Sequence, residues 1–296
     1  MFRLGLTVLA VLAWALLLSG VPEAQAWPTS RSWLPHFKSV RPGKANFAQR
    51  NFDTISRIYN MTVFPHQLPI FQAGGAAVPS GLFSKDVVGR VDPIGNFTDF
   101  EDSIEYFFAL SPLPQTNAVS AAITAYQITE FSSQCSDVAA SVVYLYCSVV
   151  APGSANHGMA LPPLKQVAFW RFDKDGAVLN YDAWIPNLSS WIETTTAIDV
   201  DNAAIRAASI EQICGGTQMR CTGANTQWNS VEECVATLSA KEYGSYDEVW
   251  GDNIVCRSIH LVLTQLRPDV SPSRVHLSVS RGTRSEDPEF TCSPNS

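Results

Sequence analysis

Asp182 follows Tyr181 and precedes Ala183 and Trp184 in a run that is otherwise apolar. A carboxyl group shielded from water moves its pKa toward neutrality, and in that state it can give or take a proton at physiological pH. Arg171 lies on the far side of the turn Asp173-Lys174-Asp175-Gly176, on the strand that would pair with this one. Without catalysis, Asp182 and Arg171 read as a cross-strand ion pair on the outer face of a sheet. Other chemistry is thinly supplied. The histidines are His36, His66, His157, His260 and His276, and two of them, His66 and His157, fall in predicted loops. Cys256 and His260 have the i, i+4 spacing of a metal pair, but no second pair of ligands completes a zinc site, so no metal is expected. There is no Gly-x-Ser-x-Gly elbow and no phosphate-binding glycine loop, which argues against a serine hydrolase of that design and against any nucleotide cofactor.

The segments that would position these residues begin after a secretory signal. Arg3, an apolar run from Leu4 to Leu18 and the small-residue pattern Ala24-Gln25-Ala26 form the three parts of a leader over residues 1–26, with cleavage expected before Trp27. The run is shorter than the roughly 20 residues that span a bilayer, so no membrane association is expected after cleavage. A formal charge of −7 with only 20 Lys and Arg leaves no basic stripe for phosphates, which argues against nucleic acid as a partner. Export to the oxidising extracellular space implies disulfides among the seven cysteines. Cys135 and Cys147 lie in neighbouring strand-like runs and can bridge locally, Cys214, Cys221, Cys234 and Cys256 form a second set with three possible connectivities, and Cys292 is left over. Asn60, Asn96 and Asn187 each open an Asn-x-Ser/Thr glycan acceptor.

Residues 27–44 are rich in Pro, Ser, Arg and Trp and read as a surface extension. Phe47, Phe52, Ile55, Ile58 and Tyr59 recur at helical spacing, predicting a helix over 45–59 that Pro65 and Pro69 end; residues 72–80 read as a loop. Thr98 or Asp99 caps a second helix with Ile104, Phe107, Phe108 and Leu110 on its buried face and Glu101, Asp102 and Glu105 on its solvated side. Four runs rich in Val, Ile, Tyr, Phe and Trp follow, at 123–131, 141–150, 164–172 and 178–185, and predict one curved antiparallel sheet. A two-residue turn at 173–176 would set Trp170 opposite Tyr181; a three-residue turn with a bulge would shift the pairing by one. Tyr126, Tyr144 and Tyr146 read as core or pocket wall. Helical patterns return at 201–213, at 230–238 with Ser230 as cap and Glu233 three residues on, and at 252–266. The expected organisation is an α+β unit over 45–195, a cysteine-bridged helical appendage over 196–270, and a weakly ordered tail over 271–296.

From Gly81 to Trp191 the sequence resembles the SnoaL-like branch of the nuclear-transport-factor superfamily. The resemblance is carried by Val91-Asp92-Pro93 and Gly95, by the helix Phe100-Glu101-Asp102-Ser103-Ile104-Glu105-Tyr106-Phe107-Phe108, and by Phe169 to Gly176 running into Tyr181-Asp182-Ala183-Trp184. The segment from Tyr246 to His260 is similar to one that certain secreted fungal proteins of unknown role join to such a domain. There Arg267-Pro268-Asp269-Val270 would lead into a further cysteine-bearing segment, and here it leads into Ser271-Pro272-Ser273-Arg274.

The resemblance implies a cone, with helices packed into the concave side of a bent sheet and an apolar pocket at its mouth. Members that are enzymes act as cyclases, isomerases or dehydratases with an Asp, His or Tyr in the cone as acid or base; others only bind. It points to Asp182, Tyr181 and Arg171 as the residues to carry such chemistry. Two functions follow as expectations: a noncatalytic protein that holds a small apolar ligand or displays a surface to a partner, or a cofactor-free isomerase, cyclase or dehydratase using Asp182 or a pocket tyrosine.

Overall fold

The computed structural model describes residues 46–114, 119–249 and 252–264. The expected leader, the extension over 27–44, the end of the last helical pattern, the tail and Cys292 lie outside them.

Helix α1 (Phe47–Thr62) forms where the 3.6-residue pattern predicts it and runs one turn further. Asn46 caps it by accepting from the Gln49 amide at 3.1 Å, and Phe52, Ile55, Ile58 and Tyr59 line its buried stripe. Pro65 ends it through a cis bond after Phe64. Pro69 does the opposite of stopping a helix: it lies in the first turn of α2 (Leu68–Ala73), where the missing N–H costs nothing. A 3-10 turn over Gly74–Ala77 then occupies the middle of the expected loop.

The sheet has six strands in the order β2-β1-β6-β5-β4-β3. The four predicted strands are present as β3 (Ala121–Cys135), β4 (Val138–Val149), β5 (Ala160–Phe172) and β6 (Val178–Trp184), each antiparallel to the next. Two more were not anticipated, β1 (Phe83–Asp92) and β2 (Gly95–Phe97), and β1 lies parallel to β6, so the sheet is mixed at that edge. The sequence of β1 hides its role because Lys85, Asp86 and Arg90 interrupt it, yet Val87 and Val91 are fully buried on its inner face. Register shifts recur along β3 and β4, at Ile123/Ala125, Ile128/Glu130 and Leu145/Cys147. Each inserts a residue into one strand and increases the local bend and twist, which curves the sheet.

The β5–β6 hairpin combines both predicted alternatives. Its loop, Asp173–Ala177, is longer than a two-residue turn, with Gly176 at φ 89° and the Asp173 carboxylate accepting from the amides of Asp175 and Ala177. A register shift next to Phe172 then compensates and sets Trp170 opposite Tyr181. Both rings point into the concave face and are fully buried. On β1 the residue across from Tyr181 is Gly89, and a Cβ there would lie 2.1 Å from the phenol ring.

Helix α3 (Phe100–Ile104) begins at Asp99, whose side chain accepts from the Asp102 amide, and continues into a π turn over Glu105–Ala109. Its expected solvated side is not solvated. Asp102 and Glu105 are 0 % and 1 % exposed, and Asp102 accepts from the backbone and hydroxyl of Thr98. The helix and its π turn contact β1, α1, α2 and a C-terminal helix, so of the three acids expected on the solvated side only Glu101 is partly exposed.

Four helices follow the sheet. Helix α4 (Leu188–Thr196) was not predicted; α5 (Ala203–Arg220) starts near the expected position and runs two turns longer; α6 (Val231–Ser239) and α7 (Ile254–Leu263) match. Ser230 caps α6 by accepting from the Glu233 amide, while the Glu233 carboxylate reaches back to the amide of Asn229. The bridge Cys214–Cys234 ties α5 to α6 with Cα atoms 5.6 Å apart. Three other cysteines assigned to disulfides, Cys147, Cys221 and Cys256, are reduced and buried. Cys135 is disulfide-bonded, but not to Cys147. Cys135 stands opposite Val138 at the β3–β4 turn, whereas Cys147 stands opposite Ile123 near the other end of the hairpin. About 30 Å of strand separates them, against the roughly 6 Å a disulfide spans. Cys221 and Cys256 fail on similar grounds: α5 ends beside Leu261 and Thr264, at the far end of α7 from Cys256.

Two outcomes test this arrangement. Gly89→Ala displaces the Tyr181 ring and costs about 1–3 kcal/mol of stability by overpacking, read as a lower denaturation midpoint; an unchanged midpoint contradicts the packing. Burial pushes the Cys147 thiol up to about 12. Cys147 therefore resists iodoacetamide in the native protein and is alkylated only after denaturation, while the peptide pair holding Cys214 and Cys234 stays bridged in a nonreducing digest.

Candidate functional site

The concave side of the sheet and the C-terminal helices enclose a cavity of about 340 Å³. Ile123, Leu145 and Leu164 provide its sheet wall, Tyr59 comes from α1, and Tyr106 and Phe107 from the π turn. Leu188, Trp191 and Ile192 of α4, Ile213 and Arg220 of α5, and Ile259 and Leu261 of α7 form the roof. Tyr246, from the segment between α6 and α7, also lines it. The roof is anchored to the rim of the cone by Val249, whose amide donates to the Pro93 carbonyl, and within the roof the reciprocal contacts of Ser189 with Ser245 and Asp247 tie α4 to the segment between α6 and α7.

Thr62, Ser111, Ser209, Gln212 and Ser258 add polar atoms to the wall, and one buried polar group is built into the sheet itself. Along β5 the inward positions are Leu164, Gln166, Ala168 and Trp170, all buried, so Gln166 places an amide where the pattern calls for a hydrocarbon. Its Oε1 accepts from the Tyr59 hydroxyl at 2.5 Å and its Nε2 donates to the Tyr106 hydroxyl oxygen. Tyr106 therefore accepts from Gln166 and keeps its own proton to offer, and no described residue takes it. Desolvation raises the pKa of both phenols above the ordinary value, so at neutral pH they are uncharged donors. No Asp, Glu, Lys or His appears among the described residues lining the cavity, and Arg220 is the one charged side chain there.

The three residues expected to carry chemistry are elsewhere. Tyr181 is fully buried behind Tyr106, with ring centroids 5.9 Å apart, and donates to the Ser103 hydroxyl. Asp182 points from the opposite, convex face. Its partner is Arg90 on β1, which donates through Nε at 3.0 Å and Nη2 at 2.6 Å. Arg171 is not that partner, because the observed register puts it across from Asn180 and puts Phe169 across from Asp182. Tyr126 and Tyr144 are half-buried, Tyr146 is 40 % exposed, and none of the three lines the cavity. The residues that do, Tyr59, Tyr106, Gln166 and Arg220, were not singled out in the sequence. Only Gln166 left a trace there, as a polar residue at an inward strand position.

Against known proteins, residues 61–183 match the BfoA N-terminal domain and residues 177–282 match the BfoA family C-terminal domain. Together the two matches span residues 61–282 of this chain. Aurasperone B biosynthesis cluster protein A of Aspergillus niger is 28 % identical over 259 residues, covering 82 % of this chain and 81 % of that one. Bifonsecin B biosynthesis cluster protein A of Aspergillus brasiliensis is 28 % identical over 202 residues, covering 65 % of this chain and 66 % of that one. Among solved structures, a Jannaschia sp. CCS1 protein proposed as a SnoaL-like polyketide cyclase aligns with a TM-score of 0.35 at 11 % identity, over 52 % of this chain and 96 % of that one.

Raised phenol pKa values make stability depend on alkali. A group whose folded pKa lies above its unfolded value stabilises the fold fully below the unfolded value, and that contribution is lost as pH rises through the folded one. Tyr59, Tyr106 and Tyr181 are all raised by burial from an ordinary value of 10.0. Stability is therefore expected to fall above about pH 10, with the phenolate absorbance of these residues appearing together with loss of near-UV circular dichroism. Phenolate formation by all tyrosines with the fold intact would contradict the burial.

Proposed function

We propose that this protein binds a small, mostly apolar molecule in the cavity between the cone and its helical roof, and that it does so without chemically altering it. The observation that carries this reading is the cavity wall itself: mainly hydrocarbon and aromatic surface with a few hydroxyls, Gln212 and Arg220, an oriented phenol donor at Tyr106, and no carboxylate or imidazole among the described lining residues to move a proton. Two relatives bear the names of small-molecule biosynthesis clusters, which supports a role in holding a molecule of that kind. A cofactor-free isomerase, cyclase or dehydratase is the second reading. Tyr106 favours it, because a protonated phenol in a dry pocket can stabilise developing negative charge on a substrate oxygen. Asp182 plays no part in that version, since it faces away from the cavity and is held by Arg90.

We further propose that the protein acts outside the cell. The Cys214–Cys234 bridge and the exposure of Asn60, Asn96 and Asn187 support this, and among the described residues no helix is long and apolar enough to cross a membrane. Protein recovered from culture medium should lose mass on treatment with an N-glycosidase.

The binding test is native mass spectrometry of that protein together with calorimetric titration of 2-acetylnaphthalene, a flat neutral ketone. Uptake is expected, with Leu164→Trp abolishing it by filling the cavity and Tyr106→Phe weakening it about fivefold, the equivalent of one hydrogen bond of ~1 kcal/mol. Absence of both a copurifying molecule and probe uptake rules out the binding reading. Conversion of a copurifying molecule to a new mass during incubation replaces it with the enzymatic one.

A further inference from the structure

We infer that the molecule held in the cavity carries an acidic group, a carboxylate or an acidic hydroxyl ionised at neutral pH, and that Arg220 is its anchor. This rests on the binding reading and names the class of ligand. Arg220 is the last residue of α5 and lines the cavity, with its guanidinium fixed by one nitrogen only. Nη1 donates to the Leu261 carbonyl at 2.9 Å and to the Thr264 hydroxyl at 3.2 Å, both at the end of α7. Nη2 and Nε have no acceptor among the described residues.

Several other arginines here pair with carboxylates, although the half-buried Arg50 is met instead by the Asn51 side chain and the Ser136 carbonyl. Arg90 pairs with Asp182, Arg206 with Asp201 and Arg257 with Asp252. Among the described residues Arg220 has no such ion pair, although desolvation acts on it strongly enough to lower its pKa. Capping the end of α7 accounts for the Nη1 contacts, since cations at helix C-termini are favourable. It leaves Nη2 and Nε of this half-buried, cavity-lining residue without a described acceptor, and a partly desolvated charge gains from an anion that enters beside it. A carboxylate matches that fork because a guanidinium edge can donate two parallel hydrogen bonds to it. Tyr106, on the cone side of the same cavity, can take a second oxygen. The ligand so described has an apolar body with an acidic group at the α5–α7 end and a neutral acceptor toward the sheet.

The test compares two probes of the same shape on the full-length protein by calorimetry at neutral pH: 2-naphthoate, which is ionised, and 2-naphthamide, which is not. The expected result is at least about tenfold tighter binding of the naphthoate, as for a charge-assisted hydrogen bond pair. In Arg220→Gln the ratio should fall to near one, and Arg220→Lys should retain part of it. If Arg220→Gln fails to fold, the wild-type ratio and the lysine variant decide. Equal or weaker binding of the naphthoate, or a full preference retained in Arg220→Gln, overturns the inference while leaving the binding reading intact. Failure of both probes to bind overturns both.

Discussion

The inward-facing aromatic layer on the bent sheet is the constraint from which the rest follows. Trp170 and Tyr181 face each other across β5 and β6, and Phe107 of the π turn stacks on Trp170 at 5.9 Å and meets Tyr181 edge-on at 5.0 Å. Tyr59 of α1 closes the group against Trp170 at 6.1 Å. Side chains of this kind bury on the order of 150–250 Å² each, and together they fix how deeply both helices sit. The layer tolerates its own bulk through two small adjustments. Gly89 lets the Tyr181 ring lie against bare backbone, and the Ser141 hydroxyl accepts from the Trp170 indole so that no donor is stranded.

Because these rings fill the narrow end, the wide end cannot be filled by the cone alone. Leu145, Leu164 and Ile123 would meet water there, and α4, α5 and α7 cover them. The cover is a separate structure with its own supports: the α5–α6 disulfide, the Ser230–Glu233 capping pair, and the ion pairs that Lys241 and Arg257 make with Asp252. A roof built on different principles from the floor does not mould itself to it completely, and the remaining space is the cavity. Its polar groups come from both sides, Gln166 and Tyr106 from the cone and Arg220 from the roof.

That division shapes the chemistry available. The groups on the cone side are neutral donors held protonated by burial, and the group on the roof side is a cation. Nothing among the described lining residues accepts a proton readily, so the arrangement suits recognition of oxygen atoms better than removal of a hydrogen from carbon. The carboxylate that the sequence made conspicuous, Asp182, serves instead to join the parallel strand β1 to β6 through Arg90.

The sequence by itself determined the local structure. The stripe Phe52-Ile55-Ile58-Tyr59, the caps Asp99 and Ser230, and the four β-rich runs appear as helices and strands where short-range spacing places them. It also carried the α+β class, since helical and strand periodicities occupy separate stretches of the chain. Tertiary structure alone decided which face each residue meets. A single register shift beside Phe172 sets whether Asp182 looks into the cone or away from it, and such a shift leaves no mark on composition. The parallel pairing of β1 with β6, the burial of Asp102 and Glu105, and the separation of Cys135 from Cys147 depend on partners distant in sequence. So does the cavity, because its walls belong to segments more than a hundred residues apart that each read, alone, as ordinary core.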